Sequence, residues 1–161
     1  MEPILEATVR RDIKEIKRLL ASGADINATT AWGGTSLYLA AQYGVEEVVG
    51  LLVAEGADVN AMTNDGSTSL MAASFSGRGP GTIATILWLL AANADVNARD
   101  KNGMTALHCA TQHNNVKNVS LLLDAGADVS AMSNDGNTAM KQASSCNLTE
   151  IVDLLKRAGA R

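Results

Sequence analysis

Two short phrases each occur four times along this chain, and their repetition constrains the fold more than any other feature. Both phrases recur with spacings of 33, 37 and 33 residues. A period of this length is typical of stacked repeat architectures, in which each unit buries its apolar face against its neighbours. The first phrase is Gly-x-Thr-x-(Leu/Met), with its first glycine at positions 33, 66, 103 and 136. The second is (Gly/Asn)-Ala-Asp-(Val/Ile)-(Asn/Ser), at residues 23–27, 56–60, 93–97 and 126–130.

One copy shows what each unit contains. It has a turn signal at Asn102-Gly103, a short helical pattern from Thr105 to His113 and a second one from Val116 to Ala125. A 33-residue unit built from a turn and two helices resembles the ankyrin repeat. The segment Gly103-Met104-Thr105-Ala106-Leu107-His108 is similar to the family's Gly-x-Thr-Pro-Leu-His. No copy carries the family's proline, and only this copy keeps the histidine.

The resemblance implies an all-α ankyrin-repeat solenoid, in which helix-turn-helix repeats are joined by short β-hairpin loops. It predicts a single domain over residues 1–161, and we expect the two outer repeats to act as caps. Arg18 supports a cap, because the equivalent position in later repeats is apolar and terminal repeats need a polar outer face. We therefore expect a complete, free-standing array. The repeats are expected at about 1–27, 28–60, 61–97, 98–130 and 131–161.

The third repeat is four residues longer than its neighbours. The extra residues fall within 77–81, where three glycines and a proline predict a loop, and closing a longer flexible loop costs little. A helix is predicted from Thr82 to Ala92. Trp88 stands in the column of Leu51, Leu121 and Leu154, so we expect it to be in the core, and Leu87 is expected to be an exposed apolar residue.

The charge balance and the cysteines indicate which class of partner the protein binds and in which compartment it works. The formal net charge is −4, from 13 basic and 17 acidic residues, which argues against a nucleic-acid partner. The sequence shows neither a secretory signal nor an apolar run of membrane-spanning length. Cys109 and Cys146 have no metal or disulfide spacing, which favours a reducing, intracellular compartment. We expect a cytoplasmic monomer that does not bind a membrane.

Two columns of polar residues invite a chemical interpretation. The carboxylate column could be a ladder of metal sites, but its members would lie about 8–10 Å apart, one helix-packing distance. Hydrogen bonding within the hairpins and loops is favoured, and neither a metal nor a cofactor is expected. The threonine column is predicted to cap helices. The carboxylates are Asp25, Asp58, Asp95 and Asp128, and the threonines are Thr35, Thr68, Thr105 and Thr138.

An enzymatic alternative rests on His113 and Cys146, which occupy equivalent positions in neighbouring repeats. A hydrolase or transferase would need the two side chains within hydrogen-bond reach and a third group to orient the base. Repeat spacing argues against that reach, and no third group is evident. His108 and Cys109 are adjacent on a helix and point about 100° apart, so they cannot form a couple. The sequence therefore favours a protein that is not an enzyme.

The resemblance implies a concave binding face made of the hairpin tips and the outer side of each first helix. Three of the five aromatic residues, Trp32, Tyr43 and Phe75, fall on this face, and binding hot spots are enriched in such residues. The alternative is that one or two of them fold back onto neighbouring backbone. We expect protein–protein interaction, as a scaffold or adaptor or as a stoichiometric inhibitor. The predicted site comprises Trp32, Gln42, Tyr43, Asp65, Phe75, Ser76, Lys101, Asn102, Met104, Gln112 and His113.

Overall fold

The computed structural model describes residues 2–75 and 81–160, and these form ten helices in five consecutive pairs. The predicted all-α solenoid of paired helices is confirmed. The predicted loop at 77–81 lies outside the described residues, except for Gly81, which begins a helix; Ser76 also lies outside them. The pairs are α1 (Pro3–Val9) with α2 (Ile13–Ala21), α3 (Ser36–Gln42) with α4 (Glu46–Ala54), α5 (Ser69–Phe75) with α6 (Gly81–Ala91), α7 (Ala106–Gln112) with α8 (Val116–Asp124), and α9 (Ala139–Ser145) with α10 (Thr149–Arg157).

A threonine precedes the first helix of the second to fifth pairs, and three of these four threonines cap their helices as predicted. The hydroxyl groups of Thr35, Thr68 and Thr138 each accept a hydrogen bond from the backbone N–H three residues later, at 3.1, 3.3 and 3.2 Å. This satisfies one of the N–H groups that a helix start leaves unpaired. The same three threonines form isolated antiparallel bridges with residues 29, 62 and 132, so each hairpin closes against a helix start.

Among the described residues, left-handed ones reverse the chain at helix ends, and not all of them are glycines. Asn93 (φ 63°) and Asn114 (φ 51°) adopt this conformation where other repeats have glycine, as the sequence predicts. Arg11 (φ 58°) takes the position that Gly44 holds in the next pair, and this was not predicted. A side chain with a Cβ costs roughly 1–2 kcal/mol in this region, so the turn between α1 and α2 stores some strain.

The helices stack in two layers. The first helices pack in the order α1, α3, α5, α7 and α9, and α4, α6, α8 and α10 pack in a second row. Alanines in the first layer allow close approach, while leucines fill the second. Within 2–75 and 81–160, no helix has the length and apolarity needed to cross a bilayer. One buried column consists of Ala40, Ala73, Ala110 and Ala143, and another of Leu52, Leu89, Leu122 and Leu155.

The carboxylate column is used for hydrogen bonding inside each turn, as favoured from the sequence. Asp25, Asp58 and Asp95 each accept the backbone N–H of the asparagine two residues later, at 2.9 Å. Asp128 accepts from the N–H of Ser130 at 2.8 Å and from its hydroxyl at 2.6 Å. The Ser130 hydrogen bonds hold the pKa of the Asp128 carboxyl below its usual range. These aspartates are therefore turn residues.

A second set of hydrogen bonds, which we call the asparagine ladder, links each turn to the next. The side-chain Oδ1 of Asn27, Asn60 and Asn97 accepts the backbone N–H of an aspartate one repeat later. The nitrogen–oxygen distances are 2.9, 2.8 and 2.8 Å. Neighbouring repeats are thus held in register by polar contacts at their edge as well as by the apolar layers between them.

Candidate functional site

A groove of about 350 Å³ opens on the first-helix side of the array, across three successive repeats. We call it the first-helix groove. Its floor is largely apolar, and polar side chains stand at its edges. Clefts of this kind are where proteins seat ligands and partner side chains. It is lined by Tyr38 and Gln42 from α3, Met71, Ala72 and Phe75 from α5, Cys109 and Gln112 from α7, and Ser67, Asp100 and Met104 from the hairpins.

Trp32 lies at a hairpin tip beside this groove and is 44% exposed. Its ring lies over Gly34, where any Cβ would collide with the indole. The ring also meets Tyr38 edge to face, with the ring centroids 5.4 Å apart. One side of the Trp32 ring is therefore folded back onto its own hairpin, as the alternative from the sequence proposed. Tyr38, which contacts the Trp32 ring, lines the groove. The exposed part of Trp32 therefore continues the aromatic surface of the groove.

Phe75 and His113 form the other end of the aromatic surface. Phe75 is 52% exposed, and its ring centroid lies 3.9 Å from that of His113. His113 Nδ1 lies 3.1 Å from the Cys109 carbonyl oxygen. The His113 ring is thus engaged by Phe75 and by its own helix. Cys146 is exposed and lines a separate groove beside His108, and His113 is not among the residues that line it.

The other predicted residues lie at the tips or at the ends of the first helices. Tyr43 is 57% exposed at the end of α3 but does not line the groove. Exposed Asp65, Lys101 and Asn102 occupy successive tips, and their backbones are joined: the Lys101 N–H donates to the Asp65 carbonyl at 2.9 Å. The Asn102 carbonyl accepts from the next tip at 2.8 Å. The tips therefore form a connected row.

The sequence reasoning missed the residues that give the groove its depth. Tyr38 and Met71 share a column, three residues after the capping threonine, with His108 one repeat further on. The large side chains at this position are the sequence signal that could have predicted the groove. Burial raises the pKa of Tyr38, so its phenol stays a neutral hydrogen-bonding group. Burial likewise raises the pKa of the Cys109 thiol to about 12, which removes it as a nucleophile.

His108 joins two repeats. Its Nδ1 accepts the Thr105 backbone N–H at 3.2 Å, and its Nε2 lies 3.1 Å from the Asn137 carbonyl oxygen of the next hairpin. A neutral ring with its proton on Nε2 satisfies both contacts. Burial lowers the pKa of His108, which favours that neutral form. Its role is to tie neighbouring repeats together.

The floor of the groove carries little unengaged charge. The Asp100 carboxylate accepts the backbone N–H groups of Asn102 and Met104, at 2.9 and 2.8 Å, so it belongs to its hairpin. In the part of the chain that the structure describes, no three His, Cys, Asp or Glu residues are grouped to hold a metal. The exposed Gln112 amide offers a donor and an acceptor at the edge. The arrangement suits an apolar side chain flanked by polar backbone.

Trp88 was predicted to lie in the core, and this is wrong: it is 47% exposed on α6. The leucines of its column are themselves only half-buried, so this position lies at the edge of the core. The ring instead rests against Gly50 of α4. Leu87 is 49% exposed, as expected.

Comparison with known proteins agrees with the repeat pattern. A family model described as ankyrin repeats (three copies) matches residues 5–100 and 79–161. The two matches together span nearly the whole chain and include all copies of both phrases. No curated protein matches the chain.

Proposed function

Because this chain belongs to the ankyrin-repeat family, we propose that it binds a protein partner through the first-helix groove and the hairpin tips beside it. Ankyrin repeats are generally protein–protein interaction modules. The chain would act as a scaffold or adaptor, or as a stoichiometric inhibitor that masks a site on its partner. In either role the interaction is non-covalent and needs no cofactor.

The observation that carries the proposal is a set of exposed aromatic side chains around a preformed apolar groove. Trp32 and Phe75 are about half exposed, and Tyr38 and Met71 lie between them. Large side chains held on a rigid scaffold lose little entropy on binding and make good anchors. The thioether of Met71 adapts to different partner shapes. These features favour capture of an apolar side chain from the partner.

The proposal also covers the oligomeric state and the cellular location of the protein. We propose a monomer that works inside the cell and does not bind nucleic acid. The net charge of −4 supports the last point, since phosphate binding depends on clustered lysine and arginine. Cys109 and Cys146 are free thiols, which suits a reducing compartment.

The decisive experiment begins with affinity capture by the intact chain, followed by calorimetry with each purified candidate partner. Phe75→Ala should weaken binding by about 2 kcal/mol or more, roughly 30-fold, as truncation of a hot-spot residue does. Leu87→Ala is the matched control, because Leu87 is similarly exposed on the second-helix side. It should change the affinity by less than about 3-fold, within the range of a neutral surface substitution.

The proposal fails if Phe75→Ala and Leu87→Ala bind the captured partner alike. The same proteins separate the two roles. An inhibitor would abolish the partner's own activity at a one-to-one ratio, whereas an adaptor would leave that activity intact and recruit a third component.

A further inference from the structure

A second groove lies on the opposite side of the array, between α4 and α6. It has a volume of about 420 Å³, and we call it the second-helix groove. Neither the predicted site nor the first-helix groove includes any of its residues. It is lined by Glu46, Glu47, Gly50, Leu51, Ala84 and Trp88.

Gly50 makes room for the tryptophan of this groove. A glycine inside a helix costs about 1 kcal/mol relative to alanine, so its presence in α4 calls for a packing reason. A Cβ at Gly50 would lie 3.3 Å from Cε2 and Cζ2 of Trp88, tighter than most real contacts. The indole therefore rests against the backbone of α4, while nearly half of Trp88 stays exposed. Leu51 and Ala84 supply apolar surface around it.

The charged residues found in the described lining of this groove are both acidic. Glu46 and Glu47 are exposed in the first turn of α4, and no lysine or arginine from residues 2–75 or 81–160 lines the groove. Neither carboxylate forms an ion pair within 2–75 and 81–160. The neighbouring depression toward α2 shares both glutamates but contains Arg11, so the side facing α6 is the more favourable one for a cation.

An exposed indole beside two carboxylates matches the chemistry of arginine and lysine. Such side chains lay their alkyl stems on apolar surface and keep the charged head in water. A guanidinium or ammonium over an indole gains cation–π energy, and carboxylates accept charge-assisted hydrogen bonds from it. Nucleic acids and anionic lipid surfaces would be repelled by Glu46 and Glu47.

We propose that the second-helix groove binds a basic segment of a protein partner. An arginine or lysine side chain lies over Trp88, and its charged group meets Glu46 and Glu47. The second-helix groove is separate from the first-helix groove of the proposed function. An experiment can therefore refute either proposal without refuting the other.

The test uses the full chain and a fluorescein-labelled eight-residue peptide of alternating arginine and alanine. A second peptide carries glutamate in place of every arginine. Fluorescence anisotropy should show binding of the arginine peptide in 50 mM salt, weaker binding in 500 mM salt because of screening, and no binding of the glutamate peptide. In nuclear magnetic resonance spectra, the indole N–H signal of Trp88 should shift, and that of Trp32 should not.

Three variants locate the binding. Trp88→Leu keeps an apolar contact but removes the ring, and should weaken binding by about 3- to 30-fold, the range of a cation–π contact. Glu46→Gln with Glu47→Gln should weaken it by about 10-fold in low salt, as for two partly desolvated charge pairs. The control pair Glu55→Gln and Glu150→Gln removes the same charge elsewhere and should change binding less than about 2-fold.

Any of three results would overturn the proposal. The control pair could weaken binding as much as the Glu46 and Glu47 pair, which would mean attraction to net charge alone. The Trp32 signal could shift instead of the Trp88 signal, which would place the peptide on the other face. Finally, sedimentation could show a dimer that Trp88→Leu dissociates, which would mean that a second copy covers this face.

Discussion

The packing of Trp32 on Gly34 predicts a strong coupling between these two positions. Gly34 does not have a positive φ, so alanine is acceptable to the backbone but collides with the ring. Trp32 is 44% exposed, so roughly 140 Å² of it is covered, worth at most about 3.5 kcal/mol at 25 cal/mol per Å². Gly34→Ala should displace the ring, lose part of this together with the Tyr38 contact, and reduce the free energy of unfolding by about 1–3 kcal/mol.

A double-mutant cycle gives the coupling directly. In a Trp32→Ala background the collision is gone, and Gly34→Ala should change the free energy of unfolding by less than about 0.5 kcal/mol. Urea denaturation followed by far-ultraviolet circular dichroism on the four proteins measures both values. If Gly34→Ala costs the same with and without Trp32, the ring does not rest on Gly34 and the description of this tip is wrong.

Three other predictions concern the core, the thiols and the end of the array. Leu52→Ala should cost about 2–5 kcal/mol of stability by opening a cavity in a fully buried column, measured by the same denaturation; a cost below 1 kcal/mol would contradict this. At pH 8, Ellman's reagent should modify exposed Cys146 quickly, while buried Cys109, with its pKa near 12, reacts only on unfolding; two fast thiols would refute it. Hydrogen exchange should be faster in residues 148–158 than in 116–125, because a terminal helix pair has one neighbour; equal protection would disprove this.

The fold followed from the sequence because its main determinants are local. A threonine that caps a helix and an asparagine that reverses the chain act through atoms a few residues away, so Thr35 and Asn93 behave as their residue types predict. Arg11 shows the limit. Its left-handed conformation is imposed by the packing of α1 and α2 and not by its own preference.

The site was only partly predictable, because depth and exposure depend on side-chain size across repeats. Register alone identifies which residues lie at tips and at the ends of first helices, and Phe75 and Met104 line the groove as this suggests. Register does not reveal that Tyr38 and Met71 border a cavity. It also misplaced Trp88, since the leucines of its column are only half-buried and register does not show this.

The asparagine ladder shows that the spacing of the turns does not depend on the length of a repeat. Its link between Asn60 and Asp95 spans the repeat with four extra residues, yet at 2.8 Å it matches the 2.9 Å link between Asn27 and Asp58. The additional length is thus absorbed within one repeat and is not passed on to the spacing of the turns. Lengthening or shortening of that connection over evolutionary time would therefore leave the turns on either side in the same register.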